Sequence, residues 1–105
     1  MKTLNDYPVA KEIARQIGGN IWAISGGRVR PYGEYGAELP CGSGYVVRIK
    51  LNAMDYYDVS RVFKRAGKEF IHGERKDVDC FEISEVAYYA SCYRSYDENE
   101  WVTKA

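Results

Sequence analysis

Any acid/base chemistry in this 105-residue chain must start from its one histidine, His72. A histidine acid or base needs a nucleophile or a carboxylate within hydrogen-bond reach, and Asp55 or Asp58 would be its partner. No spacing ties them to His72, which follows Phe70 and Ile71 in what reads as a strand, so a sheet histidine with a local hydrogen bond is the plainer reading. Cys41, Cys80 and Cys92 form no CxxC pair, and with His72 they lack the paired spacing of a tetrahedral zinc site. If Cys80 and Cys92 share a helix, their rise of about 18 Å forbids a disulfide. The carboxylates Asp55 with Asp58, and Asp77 with Asp79, could suggest a cation site, yet aspartates at strand ends and helix caps ordinarily bond local backbone. Gly26-Gly27 and Gly42-Ser43-Gly44 match neither a phosphate-binding P-loop nor a dinucleotide fingerprint, and read as turns. These residues predict no catalytic centre, no metal and no cofactor.

Binding chemistry is better represented. Arg61, Lys64, Arg65 and Lys68, followed by Arg75 and Lys76, interleave with Tyr57 and Phe63. Such a hairpin could meet phosphates while an aromatic ring stacks on a base. Against this, Glu69, Glu74 and Asp77 can neutralise the run, and Lys plus Arg equals Asp plus Glu at 15 each, so no global field draws nucleic acid or an anionic membrane. Tyrosine, with 10 copies, is in surplus. Tyr combines an apolar body with a polar tip, and the surplus either covers a sheet or builds a contact surface.

The elements that position these residues fit one domain over residues 1–105, with 46% apolar and 29% charged residues as in ordinary globular proteins. From Asp6 to Ile17 the spacing of Val9, Ile13 and Ile17 predicts a helix, capped by Asp6, with Pro8 in its first turn and Gly18-Gly19 ending it. Asn20–Ser25 reads as a short buried strand, and Arg28 to Gly44 as a mobile loop containing a weak edge strand at Glu34–Leu39. Tyr45–Leu51 alternates cleanly, with Arg48 and Lys50 on a wet face. Asn52–Arg65 fits either period, and strand is preferred, pairing back through an Ala66–Lys68 turn onto Glu69–His72. Asp79 with Glu82 makes a capping box for a last helix carrying Ile83, Val86, Ala87 and Ala90, with Val78 stapled to Ile83. The tail either frays or docks through Trp101. The expected fold is α+β: an N-terminal helix, an antiparallel sheet of four to five strands, and a C-terminal helix packed on one sheet face. No apolar run is long enough to span a bilayer, and MKTLNDYPVAKE lacks the apolar core of a secretory signal, so a cytoplasmic protein with reduced thiols is expected.

The blocks IARQIGGNIWAISGGRV, GYVVRIKLNAMDYYDV and VDCFEISEVAYYAS resemble a widespread family of small bacteriophage and prophage proteins. The distinctive parts are Gly18-Gly19-Asn20, ending a helix, and the strand from Val47 to Leu51 running through Asn52 and Ala53 to Met54-Asp55. The chain departs from the family pattern at Ser25-Gly26-Gly27-Arg28 and at Arg61, where an aromatic is usual. The resemblance brings no catalytic residues. It implies a setting, since small phage proteins of this size commonly occupy a surface of a host machine, and anti-CRISPR proteins are similar in size and style.

The expectation is therefore a non-enzymatic phage or mobile-element protein that binds a host protein or ribonucleoprotein complex such as a Cas effector. Its surface would comprise Arg28, Tyr32 and Tyr35 in the loop, Arg48 and Lys50 on the sheet, and Tyr57, Arg61, Lys64 and Arg65 on the hairpin. The alternative is a small nucleic-acid-binding module using that hairpin, and aromatic edge strands leave a homodimer open.

Overall fold

Proline opens a helix at little cost because the N–H it lacks would be unpaired there, and Pro8 is used this way. The structure, a computed structural model, describes residues 4–97 and 101–102. After a 3-10 turn at Leu4–Asp6, helix α1 (Pro8–Ile17) buries Ala10, Ile13 and Ile17. The N-cap is Tyr7, one residue after the predicted Asp6, without a side-chain bond of its own. Gly18, at φ +64°, ends the helix as expected.

Asn20–Ser25 is not a strand but a second helix, α2. Periodicity cannot separate a short apolar strand from a helical turn in IWAI, so bonds outside the segment decide. Asn20 Nδ2 donates to Ser84 Oγ at 2.8 Å, and Ser84 Oγ donates to the Ile17 carbonyl at 3.0 Å. At the other end, left-handed Gly26 bonds the Ile21 and Trp22 carbonyls. Ile24 is buried and Trp22 points outward.

Five antiparallel strands follow in sequential order: β1 (Arg30–Pro31), β2 (Gly36–Gly42), β3 (Tyr45–Leu51), β4 (Tyr57–Arg65) and β5 (Lys68–Val78). Much of the loop expected from Arg28 to Gly44 is thus strand, and the predicted edge strand at Glu34–Leu39 becomes β2, flanked by β1 and β3. β1 pairs only Arg30 with Glu38 and Pro31 with Ala37. It ends before Pro40, leaving an open edge where a residue without an N–H is tolerated. The preference for strand after Asn52 holds from Tyr57 onward; before it lies a turn in which Asn52 Oδ1 accepts the N–H groups of Met54 and Tyr56 at 2.9 and 3.2 Å. Ala66 and Gly67, at φ +52° and +77°, form the two-residue turn between β4 and β5.

Asp79 Oδ1 accepts the N–H groups of Phe81 and Glu82 at 3.0 and 2.9 Å, and α3 (Ile83–Ser91) follows. Asp79 thus holds the turn ahead of the helix, while the N-cap itself is Glu82, without a side-chain cap bond; Glu82 turns to Arg75, at 3.5 Å, so the predicted box is not made. Ile83, Val86, Ala87 and Ala90 join Val78 in a core between the helices and one sheet face, giving the expected α+β architecture. Trp101 docks on this core fully buried, over Gly73, where a Cβ would approach the indole to 3.0 Å. Among the described residues no helix is long and apolar enough to cross a membrane.

Candidate functional site

Side chains alternate along β3, so Val47 and Ile49 face the helices while Val46, Arg48 and Lys50 point to the helix-free face. The expectation of a wet face there fails: Val46 and Arg48 are buried, and only Lys50 is exposed. The cause is Glu38, directly opposite Arg48 in the register and 3% exposed. It accepts Arg48 Nε at 2.7 Å and Lys64 Nζ at 2.9 Å, with Arg30 Nε at 3.4 Å. Arg48 Nη2 also reaches Glu69 Oε2 at 2.7 Å, and the Tyr32 ring centroid lies 4.0 Å from its guanidinium carbon. Burial alone would push the Glu38 carboxyl up, but the bonds from Lys64 and Arg48 outweigh it and hold it below the usual range. The bond from Arg48 likewise lowers Glu69. Tyr32, Arg48 and Lys64 are thus brought together, in a network that consumes its own charges.

Two of the residues assigned to a binding hairpin face the interior. Tyr57 packs in the core, where burial raises its phenol pKa. Arg61, 3% exposed, donates from Nε to the Ala90 carbonyl at 2.7 Å and from Nη2 to the Tyr89 and Tyr96 carbonyls at 3.2 and 2.6 Å. The guanidinium closes the C-terminal end of α3, where unpaired carbonyls and the helix dipole favour a cation. Burial nonetheless lowers its pKa. Arg65 is exposed at the hairpin turn, Arg28 bonds the Ser25 carbonyl at 3.1 Å, and Tyr35 borders a cleft of about 250 Å³ beside Tyr7 and Pro8.

The possible acid/base pair is not assembled. Asp58 Oδ1 accepts the N–H of Asp77 at 3.2 Å, five residues beyond His72 on β5 and so about 16 Å along an extended chain. His72 instead lies among aromatic rings, 5.7 Å from Tyr45 and 5.9 Å from Phe63. With Tyr45, Arg61, Tyr93 and Asp97 it borders a hollow of about 420 Å³. Asn52 Nδ2 bridges Asp58 and Asp77, one member of each predicted acidic pair, at 3.0 and 2.8 Å, as turn chemistry. No group of three or more His, Cys, Asp or Glu among the described residues could hold a metal ion. Burial pushes the Cys41 thiol up to about 11, so it is not a thiolate nucleophile near neutral pH.

Sequence reasoning missed the large apolar residues left outside. Phe81 is 91% exposed at the head of α3, and Trp22 is 74% exposed on α2, the two helices that the Asn20–Ser84 bond joins. Phe81 falls off the stripe of Ile83, Val86, Ala87 and Ala90, a signal that was present; Trp22 was hidden by the strand assignment. No protein-family model, curated protein or solved structure matches the chain.

Proposed function

We propose that this protein works by binding, and that its partner is a host protein or ribonucleoprotein complex. The observation that carries the reading is the exposure of Trp22 on α2 and of Phe81 in the turn that leads into α3, two helices joined by the Asn20–Ser84 bond. Large aromatic side chains dominate the energetics of protein interfaces, and these two are the most exposed of the large apolar residues among those described. This reading puts the docking surface at Trp22 and Phe81, near the α2/α3 junction, rather than on the sheet and loop residues. The sequence resemblance supplies the setting: a phage or mobile-element product acting in the host cytoplasm, in its most specific form an anti-CRISPR inhibitor of a Cas effector.

The test is a plaque assay in cells with active CRISPR interference, joined to capture of purified Cas effector by the tagged protein. Restored plating and capture of the effector are expected. Trp22→Asp with Phe81→Asp should abolish both while leaving the thermal midpoint nearly unchanged, because neither ring is buried. Unchanged plating together with no effector bound refutes the reading.

A further inference from the structure

The helix side of the β4–β5 hairpin carries a run of rings outside the main core cluster. Phe70 lies 6.5 Å from Phe63, Phe63 lies 4.9 Å from Tyr45, and Tyr45 stacks on Tyr93 at 4.1 Å and 13°. Phe63, Tyr45 and Tyr93 are half-buried, and Phe70 is 48% exposed. Beyond them, Arg65 and Lys68 face each other as the closing pair of the hairpin. Directly opposed like charges disfavour a hairpin. One step earlier the same hairpin pairs Lys64 with Glu69, 3.7 Å apart. Neither Arg65 nor Lys68 has an ion pair among the described residues.

The rings lead to the hollow bordered by Tyr45, Arg61, His72, Tyr93 and Asp97. The three hydrogen bonds of Arg61 use Nε and Nη2, and Nη1 takes part in none of them. The hollow therefore combines an aromatic wall with an N–H donor, and the negative charge of Asp97 stands at its border. A base edge carries acceptors to meet that donor, whereas a phosphate would be repelled by the carboxylate charge at the border.

The geometry points to a binding strip for single-stranded nucleic acid, with phosphates on Arg65 and Lys68, one base stacked on Phe70 and another entering the hollow. An aromatic platform beside unpaired cations is the usual means of holding a single strand without sequence readout. The strip is separate from the α2/α3 junction and does not depend on the protein-binding reading.

Fluorescence anisotropy of fluorescein-labelled dT12 and U12 tests it, the two probes distinguishing DNA from RNA as the source of the strand. Binding at 50 mM KCl is expected, weakening about sevenfold at 200 mM for two phosphate contacts. Phe70→Ala should weaken binding about tenfold or more, the effect of losing one stacked base. Lys68→Glu should weaken it as well, while Lys11→Glu on α1 and the Trp22/Phe81 double variant should not. No binding of either probe at 50 mM KCl overturns the proposal. So does full affinity in a folded Phe70→Ala variant, equal weakening by Lys11→Glu, or equally effective competition by an oligo-glutamate peptide, which would reduce the strip to a patch of positive charge.

Discussion

Arg61 was assigned to a binding surface by its sequence neighbours, and its replacement separates that role from the structural one. One guanidinium holds three backbone carbonyls at 2.6 to 3.2 Å and lies 5.5 Å from the centroid of the Trp101 ring. Each hydrogen bond to a charged group contributes about 1.5–3 kcal/mol, and a simple sum overshoots because the charge resists burial. A net loss of about 3–4 kcal/mol for Arg61→Ala follows, or about 12–30 °C in the thermal midpoint of a domain this size. Arg61→Lys keeps the charge but has one nitrogen where the guanidinium uses two, and should lose about 2 kcal/mol. Urea unfolding followed by tryptophan fluorescence is the assay, since Trp101 is buried beside Arg61 while Trp22 is already exposed. The midpoint should fall with little change in slope. If Arg61→Ala changes stability by less than about 0.5 kcal/mol, as an ordinary surface substitution does, the clamp is refuted.

Acid should weaken the protein through Glu38, whose carboxyl is held below its ordinary 4.5. A depressed carboxylate contributes stability that is complete above the unfolded-state value and is lost as pH falls through the folded-state one. Urea-derived stability should therefore decline below about pH 5, and Glu38→Gln should flatten that decline while costing about 2–4 kcal/mol at pH 7. Ala66→Gly should raise the thermal midpoint by a few degrees, for about 0.5–1 kcal/mol, because Ala66 sits at φ +52°. Gly36→Ala should do the reverse and more strongly, since its Cβ would meet the Tyr32 and Ile49 carbonyl oxygens at 2.8 and 2.9 Å. On brief iodoacetamide treatment at pH 8, mass spectrometry should find Cys80, which is exposed, alkylated well before Cys41, whose thiol is raised to about 11.

Local rules read the elements whose signals were local. The glycine stop at Gly18, the strand at Tyr45–Leu51, the Asp79 bonds ahead of α3 and a turn within Ala66–Lys68 were legible because each depends on a few adjacent residues. The segments that failed depend on distant partners. Helix α2 is decided by Ser84, 64 residues away, and β2 was read as an edge because β1, only two residues long, has too little sequence to signal a strand. The burial of Arg48 and Arg61 escaped the sequence for the same reason. A basic residue in a strand is ordinarily read as exposed, and only the fold reveals Glu38 opposite one and the end of α3 against the other. Of the residues read as a binding surface, Arg48, Tyr57 and Arg61 are buried, and Trp22, read as part of a buried strand, is exposed.

The ion cluster and the aromatic strip are physically connected. Glu38 on β2, Arg48 on β3, Lys64 on β4 and Glu69 on β5 tie four successive strands across the helix-free face. A slip of one residue anywhere in this sheet would turn a charged side chain toward the apolar core, where an unpaired charge costs several kcal/mol. The cluster therefore fixes register more firmly than apolar packing alone, and register decides which rings meet on the opposite face. With Lys64 opposite Glu69, Phe63 must stand opposite Phe70 and Arg65 opposite Lys68. Breaking the cluster by Glu38→Gln should thus loosen the strip without touching any of its residues. Its signature would be weaker binding of dT12 by a variant that remains folded at pH 7, and unchanged affinity in that variant would show that the hairpin holds its register by itself.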